Sequence, residues 1–164
     1  MIEIRKADIT KDYDGIWEIF HQVIASGDTY VISPDTPKSA LTKHWFADYM
    51  FTYVALEDGV ICGTYIIKPN QIDLGSHIAN GSYMVHPAFQ GKGIGRILGE
   101  HSLQEAKALG FKAMQFNIVV STNTYAVKLW QKIGFQIMCT LPKAFNHQQL
   151  GLVDAYVMYQ SLEE

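Results

Sequence analysis

Apolar residues recur along this chain with two periods, and the switches between them mark out the elements. Ile2 and Ile4 alternate with polar neighbours as a short strand. Residues 8–14 then supply turn and cap chemistry, and over residues 16–24 the apolar spacing becomes helical. Residues 26–37 (SGDTYVISPDTP) are dense in turn formers and read as a loop, followed by a second predicted helix over residues 38–50 that carries Trp45 and Phe46. Two strand-like runs, 53–57 and 60–68, flank Asp58-Gly59, a dipeptide that readily supplies the positive φ angles of a two-residue hairpin turn. A loop over 69–77 precedes a strand at 80–85. The next helix, 94–109, sets Ile94, Leu98, Ala106 and Leu109 on one face and stops at Gly110. A strand at 113–120, a helix at 123–133 closed by Gly134, and strands at 136–141 and 153–160 complete the order.

Strands and helices mixed in this way, with no repeat, linker or low-complexity tract, predict one α/β domain over residues 1–164 built around a sheet. At 164 residues, 48% of them apolar, the chain can bury one substantial core. Cys62 and Cys139 have no CxxC or Cys/His spacing, so neither a zinc site nor a disulfide framework is expected, and no metal. The N-terminal MIEIRKADIT lacks an apolar export core, and no apolar run is long enough to span a bilayer; the expected setting is a reduced cytoplasm, away from membranes. A formal net charge of -3 with scattered Lys and Arg weighs against nucleic acid as a partner. Any anion site must be local.

Such a site is legible at YMVHPAFQGKGIGRILGE, where a strand passes through Pro87 into three alternate glycines and then a helix. Gly91, Gly93 and Gly95 let successive N–H groups converge without Cβ clashes, at a helix start where Ile94 and its successors present unpaired N–H groups and the positive dipole end. Lys92 and Arg96 add charge at the rim, and Gln90 can donate its amide to a phosphate oxygen. A purely structural connection has the same composition. The P-loop pattern fails because Gly93 follows Lys92, and the dinucleotide fingerprint fails because Arg96 and Leu98 occupy the two third-glycine positions.

What remains resembles motif A of the GCN5-related N-acetyltransferases, Q/R-x-x-G-x-G/A, matched by Gln90, Gly93 and Gly95. The segment STNTYAVKLWQKIGF is similar to the same family's NxxAxxLYxxxGF, through Asn123, Ala126, Leu129, Gly134 and Phe135. The resemblance implies a mixed, mostly antiparallel sheet of about seven strands with helices on both faces. Its fourth and fifth strands would run parallel and splay apart, leaving a slot for the pantetheine of acetyl-coenzyme A. It also implies that main-chain groups of Met84 and Val85 pair with pantetheine, that the Val85 N–H polarises the thioester carbonyl, and that residues 90–96, Asn123 and Trp130 complete the cofactor site. Much of the family carries at Trp130 a tyrosine that protonates the departing thiolate, which an indole cannot do; Tyr125 or a bound water is the candidate substitute.

Three asparagines remain open between bland and functional roles. Asn123 suits a helix N-cap as well as a cofactor contact. Asn117, disfavoured within a strand, either finds a buried partner or faces the slot. Asn80 is a turn residue or an acceptor ligand. Together they resemble the lining of the family's subset that acetylates proline-like acids such as azetidine-2-carboxylate. Tyr30, in the loop between the first helices, is a wall of the acceptor pocket or a buried anchor. His21, His44 and His101 are read as structural histidines, His86 as a loop-fixing one, and His147 with Asp154 as a pair whose meeting the spacing does not establish. The expected activity is acetyl transfer to the amine of a small molecule, an amino or imino acid, in a ternary complex. The alternatives are a peptide N-terminal acetyltransferase and a non-catalytic coenzyme A sensor. Dimerisation is common in similar proteins, and a homodimer is left open here.

Overall fold

In a computed structural model of the protein, residues 1–163 are described. Seven strands form one sheet: β1 (Ile2–Lys6), β2 (Phe51–Glu57), β3 (Val60–Pro69), β4 (Ile78–Val85), β5 (Ala113–Val120), β6 (Gln136–His147) and β7 (Gly151–Ser161), in the order β1-β2-β3-β4-β5-β7-β6. Every neighbouring pair is antiparallel except β4 and β5, which are parallel. This is the sheet that the resemblance implied. The β2–β3 hairpin turns on Asp58 and Gly59, with φ of 51° and 79°, as the two-residue turn requires.

Alternation along the strands feeds two cores. Val54, Ile66 and Met84 point to one face, under α1 (Ile9–Ala25) and α2 (Leu41–Trp45). Tyr53, Tyr65, Met114 and Phe116 point to the other, under α3 (Ile94–Ala108) and α4 (Thr124–Lys132). No helix is long and apolar enough to cross a membrane among the described residues.

Two expectations change. The second helix does not run over 38–50: a 3-10 turn at Lys38–Ala40 leads into a single turn of α2, which ends at Trp45. There the Thr52 hydroxyl donates to the Trp45 carbonyl at 2.6 Å, and the Trp45 indole donates to Thr64 at 2.9 Å. A continuing helix would need that carbonyl for its own ladder. The sixth strand, in turn, runs on to His147 instead of stopping at 141. Its register shifts between Leu141 and Phe145, and on an edge strand Pro142 forfeits no ladder bond.

α1 is fixed at its start by two aspartates. Asp8 caps it, accepting from the N–H groups of Thr10 and Lys11. Asp12 is buried and grips the Arg5 guanidinium at 2.7 and 2.9 Å while accepting from the Asp8 N–H at 2.8 Å. The hydrogen bond from Arg5 holds the Asp12 carboxyl below its ordinary range against the opposing effect of burial. Since the folded value is depressed, this contribution is complete above the unfolded carboxyl pKa of about 3.9 and disappears as pH falls through the lower folded value. Asp12→Asn is therefore expected to cost about 2 kcal/mol at neutral pH, and less once the pH is below the unfolded value, at about pH 3. Urea unfolding at the two pH values measures the difference.

Candidate functional site

β4 and β5 are hydrogen-bonded only at Ile78↔Ala113 and Ala79↔Met114. Beyond that point they part, and a cleft of about 960 Å³ opens between them. Three features hold the split. A bulge between Phe116 and Val119 bends β5 toward β7. The Asn80 side-chain amide donates to the Gln115 carbonyl at 2.9 Å, standing in for a lost ladder bond. On the α3/α4 face the Trp130 indole lies between Tyr83 of β4 and Phe116 of β5, with ring centroids 4.8 Å from each.

The strand alternation determines which main-chain groups face the cleft. In an antiparallel ladder a residue turns both of its main-chain groups to the same side, and its neighbours turn theirs to the other. The His86 N–H donates to Cys62 of β3 at 2.8 Å, so Met84 also faces β3, whereas Tyr83 and Val85 face the cleft. This corrects the expectation for Met84: its main-chain groups serve the β3 ladder, and its buried side chain packs under α1. The Val85 N–H does point into the slot. At Tyr83 the groups are taken by Tyr30, whose hydroxyl donates to the Tyr83 carbonyl and accepts from its N–H at 2.9 Å. Burial pushes the Tyr30 phenol up to about 12 and raises that of Tyr83 as well. Both are neutral at physiological pH. Tyr30 is thus at once a wall of the cleft and an anchor of its loop.

At one end of the cleft β4 leads through a 3-10 turn, Pro87–Phe89, to the glycine loop. Gly91 and Gly93 have φ of 80° and 75°, and no atom lies within 4 Å of where a Cβ would stand on either. Gly93 is the N-cap of α3 and supplies no side chain, while the first helical bond runs from the Ile97 N–H to the Gly93 carbonyl. The N–H groups of Ile94, Gly95 and Arg96 therefore have no helix partner, which makes an open cradle for an anion. Gln90 and Gly95 line the cleft. Ile94 offers only its N–H, its side chain being buried against α3's own core. Lys92 is paired with Glu57 at 3.4 Å and lies over Phe89, and Arg96 is paired with Glu100 at 2.5 Å, so both rim charges are partly neutralised.

Asn123 caps α4, accepting from the Ala126 N–H at 3.3 Å, and also lines the cleft; the two readings coexist. Tyr125 stands exposed at its rim. Asn80 lies within β4 rather than in a turn, half-buried, on the face of the sheet under α2. Asn117 is exposed at the β5 bulge rather than buried, donating to Asn70 at 2.7 Å and accepting from Gln115 at 3.0 Å. These carboxamides form the end of the cleft away from the glycine loop.

The histidines sort by partner. His101 bonds the Tyr65 hydroxyl at 2.7 Å, His86 accepts from Ala88, His21 stacks on Trp17, and His147 accepts from Gln149 and Leu150. Asp154 instead accepts from the Lys143 N–H, so His147 and Asp154 do not form a pair. His44 alone among the histidines lines the cleft, together with Lys43 and Lys68. Sequence reasoning missed all three. The one available signal was the turn-rich run at 26–37, which ends close before Lys43 and His44; Lys68, on β3, carried none. Among the described residues no aspartate or glutamate lines the cleft, and no three His, Cys, Asp or Glu side chains gather to hold a metal.

Comparison with known proteins agrees with this architecture. The family model described as Acetyltransferase (GNAT) family matches residues 16–135. N-acetyltransferase aca1 of Schizosaccharomyces pombe is 37% identical over 110 residues, 63% of this chain and 52% of its own length. The L-methionine sulfoximine/L-methionine sulfone acetyltransferase of Salmonella typhimurium is 32% identical over 91 residues, 55% of this chain and 53% of its own. The matches thus span about half the length of these curated relatives. A solved GCN5-related N-acetyltransferase from Kribbella flavida superposes with a TM-score of 0.92 at 36% identity, covering 98% of this chain and 97% of that one. With a family model matched over residues 16–135, more than half of its length, and a superposition that covers nearly all of it, the chain belongs to the Acetyltransferase (GNAT) family.

Proposed function

We propose that this protein transfers the acetyl group of acetyl-coenzyme A directly to the amine of a small amino or imino acid. One observation carries the reading: a single cleft runs from the unpartnered N–H groups of α3, past the free Val85 N–H, to a polar end with Asn80, Asn117, Lys43 and Lys68 and no carboxylate. The glycine cradle fits a pyrophosphate, since a Cβ at Gly91 or Gly93 would fill the open space and the helix start needs acceptors. The thioester supplies an activated acetyl group. Val85 donates its N–H to the carbonyl oxygen as charge develops there. The Asn123 amide, with its oxygen engaged at the helix cap, keeps its N–H₂ for the cofactor. Holding amine and thioester together supplies most of the acceleration, and a thiol with a pKa of about 8.5 leaves without a dedicated acid. That tolerance is how Trp130 can stand where a tyrosine is usual.

The acceptor class follows from charge. A carboxylate is attracted by the two lysines and bonded by the carboxamides, whereas a polyamine meets like charge and no acid. The methionine-sulfone enzyme among the relatives is named for an amino-acid acceptor, which supports the same class. Thiol release measured across amino acids, proline analogues, polyamines and short peptides tests it. Free acids, azetidine-2-carboxylate or methionine sulfone among them, are expected to exceed their methyl esters in kcat/KM by about tenfold or more, one charge-assisted bond being worth about 1.5–3 kcal/mol. Turnover confined to peptides would replace the small-molecule reading. Coenzyme A binding without turnover of any amine would leave a sensor.

A further inference from the structure

The acetyl-transfer reading leaves one proton unaccounted for. An aliphatic amine is protonated at neutral pH, and only its neutral form has the lone pair that attacks a thioester. Some group in the cleft must take that proton, and the lining narrows the choice. Among the described residues it holds no Asp or Glu. Its asparagines do not titrate, and the Tyr30 and Tyr83 hydroxyls are bonded and held in their neutral form.

Of the remaining side chains there, Tyr49 and Tyr125 stand exposed, and His44 is the one imidazole of the lining. It stands on the single turn of α2, half-buried, with its ring stacked on Phe20 of α1 at a centroid distance of 6.1 Å and 25° between planes. The adjoining Trp45 indole is tied to Thr64 of β3 at 2.9 Å, which fixes the turn against the sheet. Neither His44 ring nitrogen has a hydrogen-bond partner among the described residues, in contrast to His101, His86 and His147. On β3, Lys68 is the register partner of Asn80, and their side chains share the sheet face under α2. His44 therefore overlies the carboxamide end of the slot. Lys43 precedes it on the same turn, and neither lysine is paired with a carboxylate among the described residues.

We propose that His44 is the general base of this enzyme, taking a proton from the acceptor's ammonium group while Lys43 and Lys68 attract the acceptor's anionic group. The proposal rests on the acetyl-transfer reading above. The ammonium gives one proton to a free His44 nitrogen and becomes a neutral amine. Its lone pair forms the new C–N bond at the thioester carbonyl carbon, and the C–S bond breaks with its electrons going to sulfur. The second proton on the nitrogen passes to the departing thiolate, and His44 returns its own to solvent. Nothing is oxidised or reduced, and the products are the N-acetyl acid, the free thiol and one proton. The charged groups acting on His44 are Lys43 from its own turn and Lys68 from β3; Phe20, facing it from α1, carries no charge. Burial first, then these two lysines, lower the His44 pKa, so the imidazole is neutral and able to accept a proton throughout the physiological range.

The test uses whichever amino or imino acid of the panel turns over fastest, with the full chain and its His44→Gln and His44→Ala variants. Wild-type kcat/KM should fall on the acid side only below about pH 6.5, the ordinary histidine value. His44→Gln should lose about 10²- to 10⁴-fold at neutral pH. Its kcat/KM should climb about tenfold per pH unit toward the acceptor's own amine pKa, because only amine already neutral in solution reacts. Affinity for acetyl-coenzyme A should change by less than about threefold, and added imidazole should restore part of the His44→Ala rate. A variant within threefold of wild type, one that keeps the wild-type acid limb, or one that loses cofactor affinity equally overturns the base assignment. A wild-type protein silent on every amine overturns the acetyl-transfer reading itself, and this assignment with it.

Discussion

Trp130→Ala is expected to destabilise the protein by about 3–5 kcal/mol, the range for deleting a buried aromatic side chain. The indole is 8% exposed and touches ring systems from three elements: Tyr83 of β4, Phe116 of β5, and Phe135 after α4 at 5.9 Å. Helix α3 comes close over it at Gly99, where an added Cβ would lie 2.9 Å from the indole. No ladder bonds join β4 to β5 at that level, so the ring is the packing that spans the gap. The surroundings cannot collapse into the void without closing the slot, which places the cost toward the upper end of the range. Urea unfolding should show it directly, and the melting temperature should drop by about 10 °C or more for a chain of this size. Trp130→Tyr keeps an aromatic ring in the gap and should cost less than half as much while leaving thiol release per folded molecule at or above the wild-type rate. A Trp130→Ala protein within 1 kcal/mol of wild type would mean that the strand split is held by other contacts.

Gly93→Val should weaken acetyl-coenzyme A binding by about 100-fold, equivalent to two charge-assisted hydrogen bonds of about 1.5 kcal/mol each. The free protein has room for the side chain, since nothing lies within 4 Å of the Cβ position. That room adjoins the N–H groups of Ile94, Gly95 and Arg96, where the proposed pyrophosphate would approach. Valine also strains a backbone at φ 75°, by about 1–2 kcal/mol, so lost stability has to be separated from lost binding. Gly110→Val provides the control. Gly110 follows the other end of α3 with φ 93° and equally open surroundings, so the strain is comparable and the cradle untouched. Calorimetric titration should find the Gly110 variant near wild type. Equal affinity for wild type and Gly93→Val would remove the cradle from the cofactor site.

The glycine loop was legible in sequence because its function lies in main-chain geometry, and glycine placement encodes that geometry locally. Gly91, Gly93 and Gly95 announce the turn, and the helix that follows announces the donors. The Asp58-Gly59 hairpin was legible for the same reason. The second helix was not, because its end depends on Thr52, which takes the Trp45 carbonyl from a different element. Nor could Met84 and Val85 be told apart by sequence. Adjacent residues in a strand look alike until the ladder partner is known, and the bond from His86 to Cys62 is what turns one inward and the other to the slot.

His44 marks the limit of what spacing can convey. On a helix of thirteen residues it reads as one more structural histidine; on a single turn clamped to β3 it faces a cleft with two lysines that no carboxylate pairs among the described residues. By itself the sequence determined the mixed α/β order, the glycine turn that opens α3 and the family, because each rests on local periodicity or on short motifs whose residues must be neighbours to work. The tertiary structure alone decided the split of β4 from β5, Trp130 as the packing across it, Tyr30 on the main chain of Tyr83, and the placing of Lys43 and Lys68 in the cleft. Those features arise where residues distant in sequence meet, Phe116 with Trp130, Asn80 with Gln115 and Tyr30 with Tyr83, and pairing at such a distance is set by packing and ladder register, which no local pattern encodes.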